Sequence, residues 1–249
     1  MLAFGAGFAY ARQVLASRKV WGVSYNENPI NALPPVVILL ALAMALPEIA
    51  SLVGENRLFG GPGSVGWRTE GLNRFAFYPG VLDQMIDRNL WPLEHVIRIG
   101  TYPFVHGTFT HAIFAMVFVL ALGKMVGEQM SGLAVLVLFI GASVFGALVY
   151  WLVLNDDFPL FGGMPGAYGL IGGYTFILWV RLVAVGGQQA QAFSLIAFLM
   201  GIQLLFGLIF DIRNDWVADL AGFFAGFGLS FLVVPGGFAR LRHWLRNRR

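Results

Sequence analysis

Hydrophobic residues gather into six long runs that are separated by polar segments. Each run is about 18–23 residues long, and a helix needs roughly 20 apolar residues to cross a bilayer. A transmembrane barrel strand would instead alternate in polarity over about ten residues. The pattern predicts an all-α polytopic membrane protein built as a six-helix bundle. The predicted spans cover residues 33–53, 103–124, 132–154, 161–181, 191–210 and 217–234.

Composition supports this class and limits the kinds of chemistry that the chain can carry out. The chain has 249 residues, of which 58% are hydrophobic and 12% charged, whereas soluble domains carry about 25% charged residues. The absence of cysteine excludes disulfides, a thiol nucleophile and thiolate metal sites. The sequence contains no phosphate-binding loop, no dinucleotide fingerprint and no H-E-x-x-H zinc motif. We therefore expect neither a cofactor nor a metal.

The chain divides into a membrane domain, residues 33–235, and two flanking segments. In residues 1–32, Arg12, Arg18 and Lys19 follow the apolar part, which is the reverse of a signal peptide. This segment is predicted to form a short helix on the cytoplasmic surface, with disorder as the alternative. Residues 236–249 form a basic tail, which is either solvated or held against anionic headgroups at ~1 kcal/mol per contact.

The long loop between spans one and two, residues 54–100, has two parts. The first part is rich in turn-forming residues. The second part places Leu82, Met85 and neighbouring apolar residues at helical spacing among charges, which predicts a short amphipathic helix. This helix either packs against the bundle or lies in the outer leaflet. At the end of span one, Glu48 is expected to reach the interface.

Basic residues set the predicted orientation. With six spans, most of the lysines and arginines outside the long loop fall on one side of the membrane. Cytoplasmic loops carry the excess of positive charge. We therefore expect both termini in the cytoplasm of a multi-pass protein of the bacterial inner membrane. The residues on that side are Arg12, Arg18, Lys19, Lys124, Arg181, Arg240, Arg242, Arg246, Arg248 and Arg249.

Small residues recur through the start of span four, which reads FGGMPGAYGLIGGY. Small residues three and four apart let two helices approach closely in a bilayer, where packing replaces the hydrophobic drive. Span four is therefore predicted to lie inside the bundle. The small residues are Gly162, Gly163, Gly166, Ala167, Gly169, Gly172 and Gly173.

Three segments together resemble the rhomboid intramembrane proteases. They are the stretch just given, the lead-in IRIGTYPFVHGTFTHAIFAM before span two, and VADLAGFFAG in span six. The resemblance covers about residues 33–235 and implies the six-helix rhomboid fold. The matching residues, which we expect to serve packing or client contacts, include Arg98, His106, Glu128, Gly166, Gly169, Gly172, Gly222 and Gly226.

The residues that carry catalysis in that family are replaced here. Matching G-x-S-G directly puts Pro165 at the nucleophilic serine, whereas matching backwards from YGLIGGY puts Met164 there. Asp219 stands at the histidine of span six. In span two, Ala115 replaces the asparagine that helps to stabilise an oxyanion, while His111 is retained.

Asp219 lies within a predicted span, where a carboxylate costs about 2.5–3.5 kcal/mol. The register places it near the outer end, where we expect water to reach it, and His111 is the expected partner. It is either a structural or hydrated carboxylate, or a ligand or proton site. His106 is expected to make a structural contact, and His95 to lie on the loop surface.

The resemblance and the replacements together predict a catalytically degenerate rhomboid-like pseudoprotease, not an enzyme. Such a protein would bind transmembrane clients in assembly or quality control. The alternative is an accessory subunit of a larger membrane complex. An active serine endopeptidase that uses Asp219 as its base is disfavoured because a nucleophile is missing. The expected partners are the lipid bilayer and transmembrane proteins, and not nucleic acid.

Overall fold

A computed structural model describes residues 32–154, 158–210 and 214–234, without the side chains of 204–210. The predictions for residues 1–31 and for the tail from residue 235 onward lie outside these ranges. The helices are α1 (Pro35–Glu55), α2 (Trp67–Phe75), α3 (Pro79–Arg88), α4 (Leu93–Val96), α5 (Arg98–Thr101), α6 (Phe109–Gln129), α7 (Gly132–Val153), α8 (Met164–Val185), α9 (Ser194–Phe210) and α10 (Trp216–Val233). Three 3-10 helices cover Gly61–Gly66, Tyr102–Phe104 and Gln189–Phe193.

The predicted all-α membrane class is confirmed. Within the described ranges five helices, α1, α6, α7, α8 and α10, are long and apolar enough to cross a membrane. The predicted fifth span, residues 191–210, corresponds to α9, which has 17 residues. At 1.5 Å per residue α9 is about 26 Å long, slightly less than a hydrocarbon core of about 30 Å.

Glycine contacts bring α8 to the centre of the bundle, as the small-residue stripe predicts. An added Cβ on Gly226 of α10 would overlap the backbone of Gly169 on α8. An added Cβ on Gly172 would likewise overlap the carbonyl of Phe223. The two helices therefore touch through their backbones. Such contact gives close packing where lipid supplies no hydrophobic drive between helices.

Side-chain caps fix where the second and third spans begin. The Thr108 hydroxyl accepts a hydrogen bond from the His111 backbone N–H, at 3.2 Å. Ser131 caps α7 in the same way, through the Ala134 N–H at 3.1 Å. These bonds satisfy amides that a helix start leaves unpaired. The predicted start of span two at Pro103 was therefore several residues too early, and this span ends at Gln129 rather than at Lys124.

The long loop is more helical than predicted. The first part is rich in turn-forming residues, yet Trp67–Phe75 forms α2. The amphipathic helix of the second part is present as α3, and it buries Leu82 and Met85. The Trp151 indole of α7 donates to the Asp83 carboxylate at 2.7 Å. This helix therefore packs against the bundle, which is one of its two predicted alternatives.

Candidate functional site

The start of α8 is shaped by two glycines. Gly162 has a φ of 94°, and a Cβ there would overlap the imidazole of His111. Its N–H donates to the Tyr102 carbonyl at 3.0 Å. The N–H of Gly163 donates to Nε2 of His106 at 3.3 Å. Glycine is thus required here both by the left-handed backbone and by the neighbouring ring.

His106 and His111 stack edge to face beneath this turn, with ring centroids 5.3 Å apart. Burial, together with the neighbouring His111 and Arg68, lowers the pKa of His106 to about 3. The neutral ring accepts at Nε2 and therefore carries its proton on Nδ1. The structural role predicted for His106 is consistent with this hydrogen bond and with its exposure of only 3%.

The two positions that match the family's serine hold Met164 and Pro165, the first two residues of α8. Met164 is partly buried and Pro165 is buried. Proline suits the first turn of a helix, because the amide it lacks would have no intrahelical acceptor. An added Cβ on Gly222 would overlap the carbonyl of Pro165, so the first turn of α8 lies against α10.

Ala115 lies one turn after His111 on α6 and is completely buried. Its methyl group has no hydrogen to donate, so this position contributes no donor to the site.

Asp219 is buried and bonded to a residue that the sequence analysis did not single out. Its Oδ2 accepts from Nε2 of Gln203 at 2.8 Å, and Oε1 of Gln203 accepts from the Tyr168 hydroxyl at 2.8 Å. The expected hydrogen bond with His111 is therefore wrong. Only 2% of Asp219 is exposed, and its bond to Gln203 is consistent with the structural contact among the predicted alternatives. Its Oδ1 has no hydrogen-bond partner among the described residues.

Gln203 was detectable in the sequence. It follows Ile196 and Met200 at spacings of four and three, so it falls on the same helix face as these two buried residues. A single amide among apolar residues on one helix face is expected to form a hydrogen bond with another helix. The sequence does not say which of the other helices supplies that partner.

Tyr102 lies between α7 and the hydrogen-bonded residues Tyr168, Gln203 and Asp219. Its hydroxyl donates to the Ser143 carbonyl at 2.7 Å. Burial raises the pKa of Tyr102 well above its usual value, and the charge of Asp219 raises it further. The hydroxyl of Ser143 is itself buried and donates to the Phe139 carbonyl at 2.8 Å.

An ion-pair cluster outside the α8–α10 contact holds the loop against α1. The Arg68 guanidinium donates to both Glu48 oxygens, at 2.9 and 2.7 Å. It also bonds Glu55 and, at 3.1 Å, the His106 carbonyl. Glu48 is only 4% exposed, and Arg68 of the loop holds its carboxylate. Hydrogen bonds from Arg68 to Glu48 raise the pKa of Arg68.

A cavity of about 200 Å³ lies beside this cluster, between α1, α2 and the segment before α6. Arg68, Glu48 and His106 line it together with apolar side chains. Arg68 has acceptors for all three of its nitrogens, whereas Nδ1 of His106 is buried and has no hydrogen-bond partner among the described residues.

The remaining predicted residues make structural contacts. Arg98 donates to the Asn73 carbonyl at 2.8 Å and lies over the Tyr78 ring. Glu128 lies 3.9 Å from Lys124 on the same helix face. His95 lies 3.9 Å from Glu94 on the loop. Across the described ranges, no three His, Asp or Glu side chains converge as metal ligands would.

Comparison with known proteins agrees with this geometry. The family model of the Rhomboid domain matches residues 93–236, which is more than half of the chain. The matched region runs from α4 to the end of α10. It contains His106, His111, the first turn of α8 and Asp219. A curated relative, the "Putative rhomboid protease YdcA" of Bacillus subtilis (strain 168), is 27% identical over 141 residues. That alignment covers 55% of this chain and 67% of the relative. The chain belongs to the rhomboid family.

Proposed function

We propose that this rhomboid is not a protease and instead binds transmembrane segments of partner proteins. One observation carries the proposal. The carboxylate at the position of the family's catalytic histidine, Asp219, is hydrogen-bonded to Gln203, and the first turn of α8 offers it only Met164 and Pro165.

The missing nucleophile is the strongest support. Serine-protease chemistry needs a hydroxyl within hydrogen-bond reach of a base. A methionine thioether and a proline ring have no proton to give up, so Asp219 has nothing there to activate. Ser143 offers no substitute, because its buried hydroxyl donates to the Phe139 carbonyl of its own helix.

The stabilisation of a negatively charged oxyanion is weakened as well. The loss of one oxyanion donor typically lowers kcat by about 10²–10³-fold. Ala115 provides no such donor. His111, the histidine that the resemblance pairs with this asparagine, is retained.

The preserved packing supports a binding role. Gly169, Gly172 and Gly226 keep α8 and α10 in backbone contact, although the residues that this contact would orient for catalysis are replaced. The family resemblance implies that catalytically inactive relatives bind transmembrane clients and steer their trafficking, assembly or degradation. The distribution of basic residues supports a bacterial inner-membrane location with both termini cytoplasmic.

An active protease is the second candidate, and the printed name of the Bacillus subtilis relative favours it. The test is to treat the purified protein in liposomes with a fluorophosphonate probe and a generic rhomboid substrate, beside an active rhomboid as control. The proposal expects neither labelling nor cleavage. Cleavage that persists after further purification and is lost in Asp219→Ala would overturn it.

Partner binding requires its own test. A photo-crosslinking amino acid is placed at an exposed membrane position, such as Phe198 on α9 or Phe224 on α10. Crosslinked transmembrane proteins that vary between preparations support client binding. A single stoichiometric partner supports the accessory-subunit alternative. The absence of crosslinks at both positions counts against the proposal.

A further inference from the structure

The cavity between α1, α2 and the segment before α6 has mostly apolar walls. It measures about 200 Å³ and opens at the protein surface. Its polar side chains are Glu48, Ser51, Arg68 and His106. Apart from Gly71, the remaining walls are apolar or aromatic side chains, namely Pro47, Ala50, Trp67, Phe75 and Val105. A molecule that fills this cavity must therefore be largely apolar itself.

Three of the four polar side chains already have partners. Both oxygens of Glu48 accept from the Arg68 guanidinium, and the Ser51 hydroxyl donates to the Pro47 carbonyl at 2.9 Å. Nδ1 of His106 differs, because it is buried without a hydrogen-bond partner among the described residues. A buried donor that lacks an acceptor is unfavourable, so this atom indicates where a ligand would bond.

The orientation of the imidazole directs Nδ1 toward the cavity. Nε2 accepts from the Gly163 N–H, and Cδ2 lies 3.4 Å from the position of an added Cβ on Gly162, so this edge of the ring faces the start of α8. Nδ1 is the ring atom opposite that edge and points away from α8. The ring is neutral because its pKa is about 3, and its proton is on Nδ1 because Nε2 accepts. His106 therefore offers an uncharged N–H to an acceptor in the cavity.

The charges beside the cavity limit the kind of acceptor. Arg68 is shared by two carboxylates, Glu48 and Glu55, so the cluster has an excess of negative charge that repels an anion. A cation is disfavoured as well, because Arg68 already bonds both Glu48 oxygens. A buried water needs two to four polar partners, and the cavity offers one unused polar atom of His106. These limits favour a neutral carbonyl oxygen on an apolar molecule.

The membrane supplies such a molecule at this depth. His106 precedes the first residue of the spanning helix α6 by three positions, so it lies near the boundary of the hydrocarbon region, where the ester groups of phospholipids lie. Glu48 lies seven residues before the end of α1, or about 10 Å further along the path of an acyl chain. We propose that the cavity binds one acyl ester of a membrane phospholipid, whose carbonyl oxygen accepts a hydrogen bond from Nδ1 of His106. This site lies outside the α8–α10 contact and does not depend on the proposed function.

The test compares an ester lipid with an ether lipid that lacks the carbonyl. The protein in liposomes is crosslinked to a diester phosphatidylcholine with a photoactivatable diazirine in one acyl chain, or to the diether analogue with the same chain. Mass spectrometry should place the ester crosslinks on residues 47–51 and 67–75. Hydrogen bonds inside membranes imply that the ester lipid labels these residues roughly threefold to twentyfold more than the ether lipid. Equal labelling by the two lipids would overturn the recognition of a carbonyl.

Variants connect the lipid preference with the cavity and with His106. Gly71→Leu should abolish the crosslinks at residues 47–51, because Gly71 lines the cavity and an added Cβ there meets no atom within 4 Å. Gly66→Leu is the matched control, since its Cβ also meets no atom within 4 Å and its position lies outside the lining. It should keep the crosslinks. His106→Phe should make the two lipids label equally, and this comparison within one protein is insensitive to general destabilisation.

Several results would reject the site. Crosslinks at residues 47–51 that persist in Gly71→Leu would place the lipid elsewhere, and so would crosslinks spread evenly over the spanning helices of the parent. An ester preference that survives in His106→Phe would remove His106 from the recognition. If His106→Phe does not fold, the comparison of the two lipids in the parent and in Gly71→Leu decides alone. Partner crosslinking at Phe198 and Phe224 is measured separately, so failure of the lipid site is distinguishable from failure of the proposed function.

Discussion

At the scale of single residues, the site contains buried polar groups that bond one another inside an apolar bundle. His106 is one of them, because it is 3% exposed and bonds the backbone of α8 through Nε2. Its imidazole is neutral because burial, His111 and Arg68 all disfavour a positive charge there. A single buried histidine therefore couples the stability of the α8 turn to pH.

Acidification is expected to destabilise the protein through His106. Its pKa is about 3 in the folded protein, against 6.5 for an unperturbed histidine, so the unfolded chain binds a proton first as the pH falls. The stabilising contribution is fully present above pH 6.5 and is lost between about pH 6.5 and pH 3. At pH 5 the expected loss is about 2 kcal/mol.

Thermal unfolding of the liposome-embedded protein at pH 7.5 and pH 5 checks this. His106→Asn should remove this part of the pH dependence. His95→Gln, a change on the partly exposed loop, should leave it intact. A slope in His106→Asn equal to that of the parent would assign the effect to other groups.

Arg68 provides a second prediction at this scale. Loss of one partner of a buried ion pair typically costs about 3–5 kcal/mol. For Glu48→Gln we expect a smaller loss of about 2–3 kcal/mol, because Arg68 keeps Glu55 and is itself 12% exposed. Glu55→Gln is the matched control and should cost less than about 1 kcal/mol, since Glu55 is 38% exposed. Equal losses in the two variants, measured by thermal unfolding, would contradict a special role for the buried Glu48 contact.

At the scale of helices, regular patterns were predictable and individual long-range partners were not. The spans and the contact of α8 with α10 followed from hydrophobic runs and small-residue spacing. The helix α2 did not, because GPGSVG and the residues after it carry turn signals, while tertiary contacts such as Arg68 with Glu48 stabilise the helix. The partner of Asp219 was missed for a similar reason, since no local signal joins position 219 to position 203.

The α8–α10 contact yields a prediction with an internal control. Gly226→Ala should destabilise the protein by at least about 1–3 kcal/mol, because the new Cβ would overlap the backbone of Gly169. Gly228→Ala lies two residues away on the same helix, with no neighbouring atom within 4 Å of the new Cβ. It should be neutral or stabilise by up to about 1 kcal/mol, as expected for alanine in a helix. Similar unfolding temperatures for the two variants would argue against backbone contact.

At the scale of the whole molecule, the bundle belongs to the rhomboid family, and the proposed function holds that the residues at its catalytic positions are replaced. Three helices supply those positions: α6 with Ala115, the first turn of α8, and α10 with Asp219. The packing that joins them involves glycines and not the replaced side chains. The proposed function thus treats fold and chemistry as separable, and on this basis the fold should accept the family's catalytic residues.

We therefore expect that introducing the family's catalytic residues restores reactivity. The reactive variant then shows which position corresponds to the family's serine. In a protein carrying Asp219→His and Ala115→Asn, we expect Met164→Ser to restore fluorophosphonate labelling and Pro165→Ser not to. Met164 is partly exposed at the first position of α8, whereas Pro165 is buried against α10. The protein with Met164→Ser and Asp219→His that keeps Ala115 should react with the fluorophosphonate roughly 10²-fold more slowly, because it lacks one oxyanion donor. If only the Pro165→Ser protein is labelled, position 165 and not position 164 corresponds to the family's serine. If neither protein is labelled, Gln203 or the site around it prevents catalysis even with the family's residues in place.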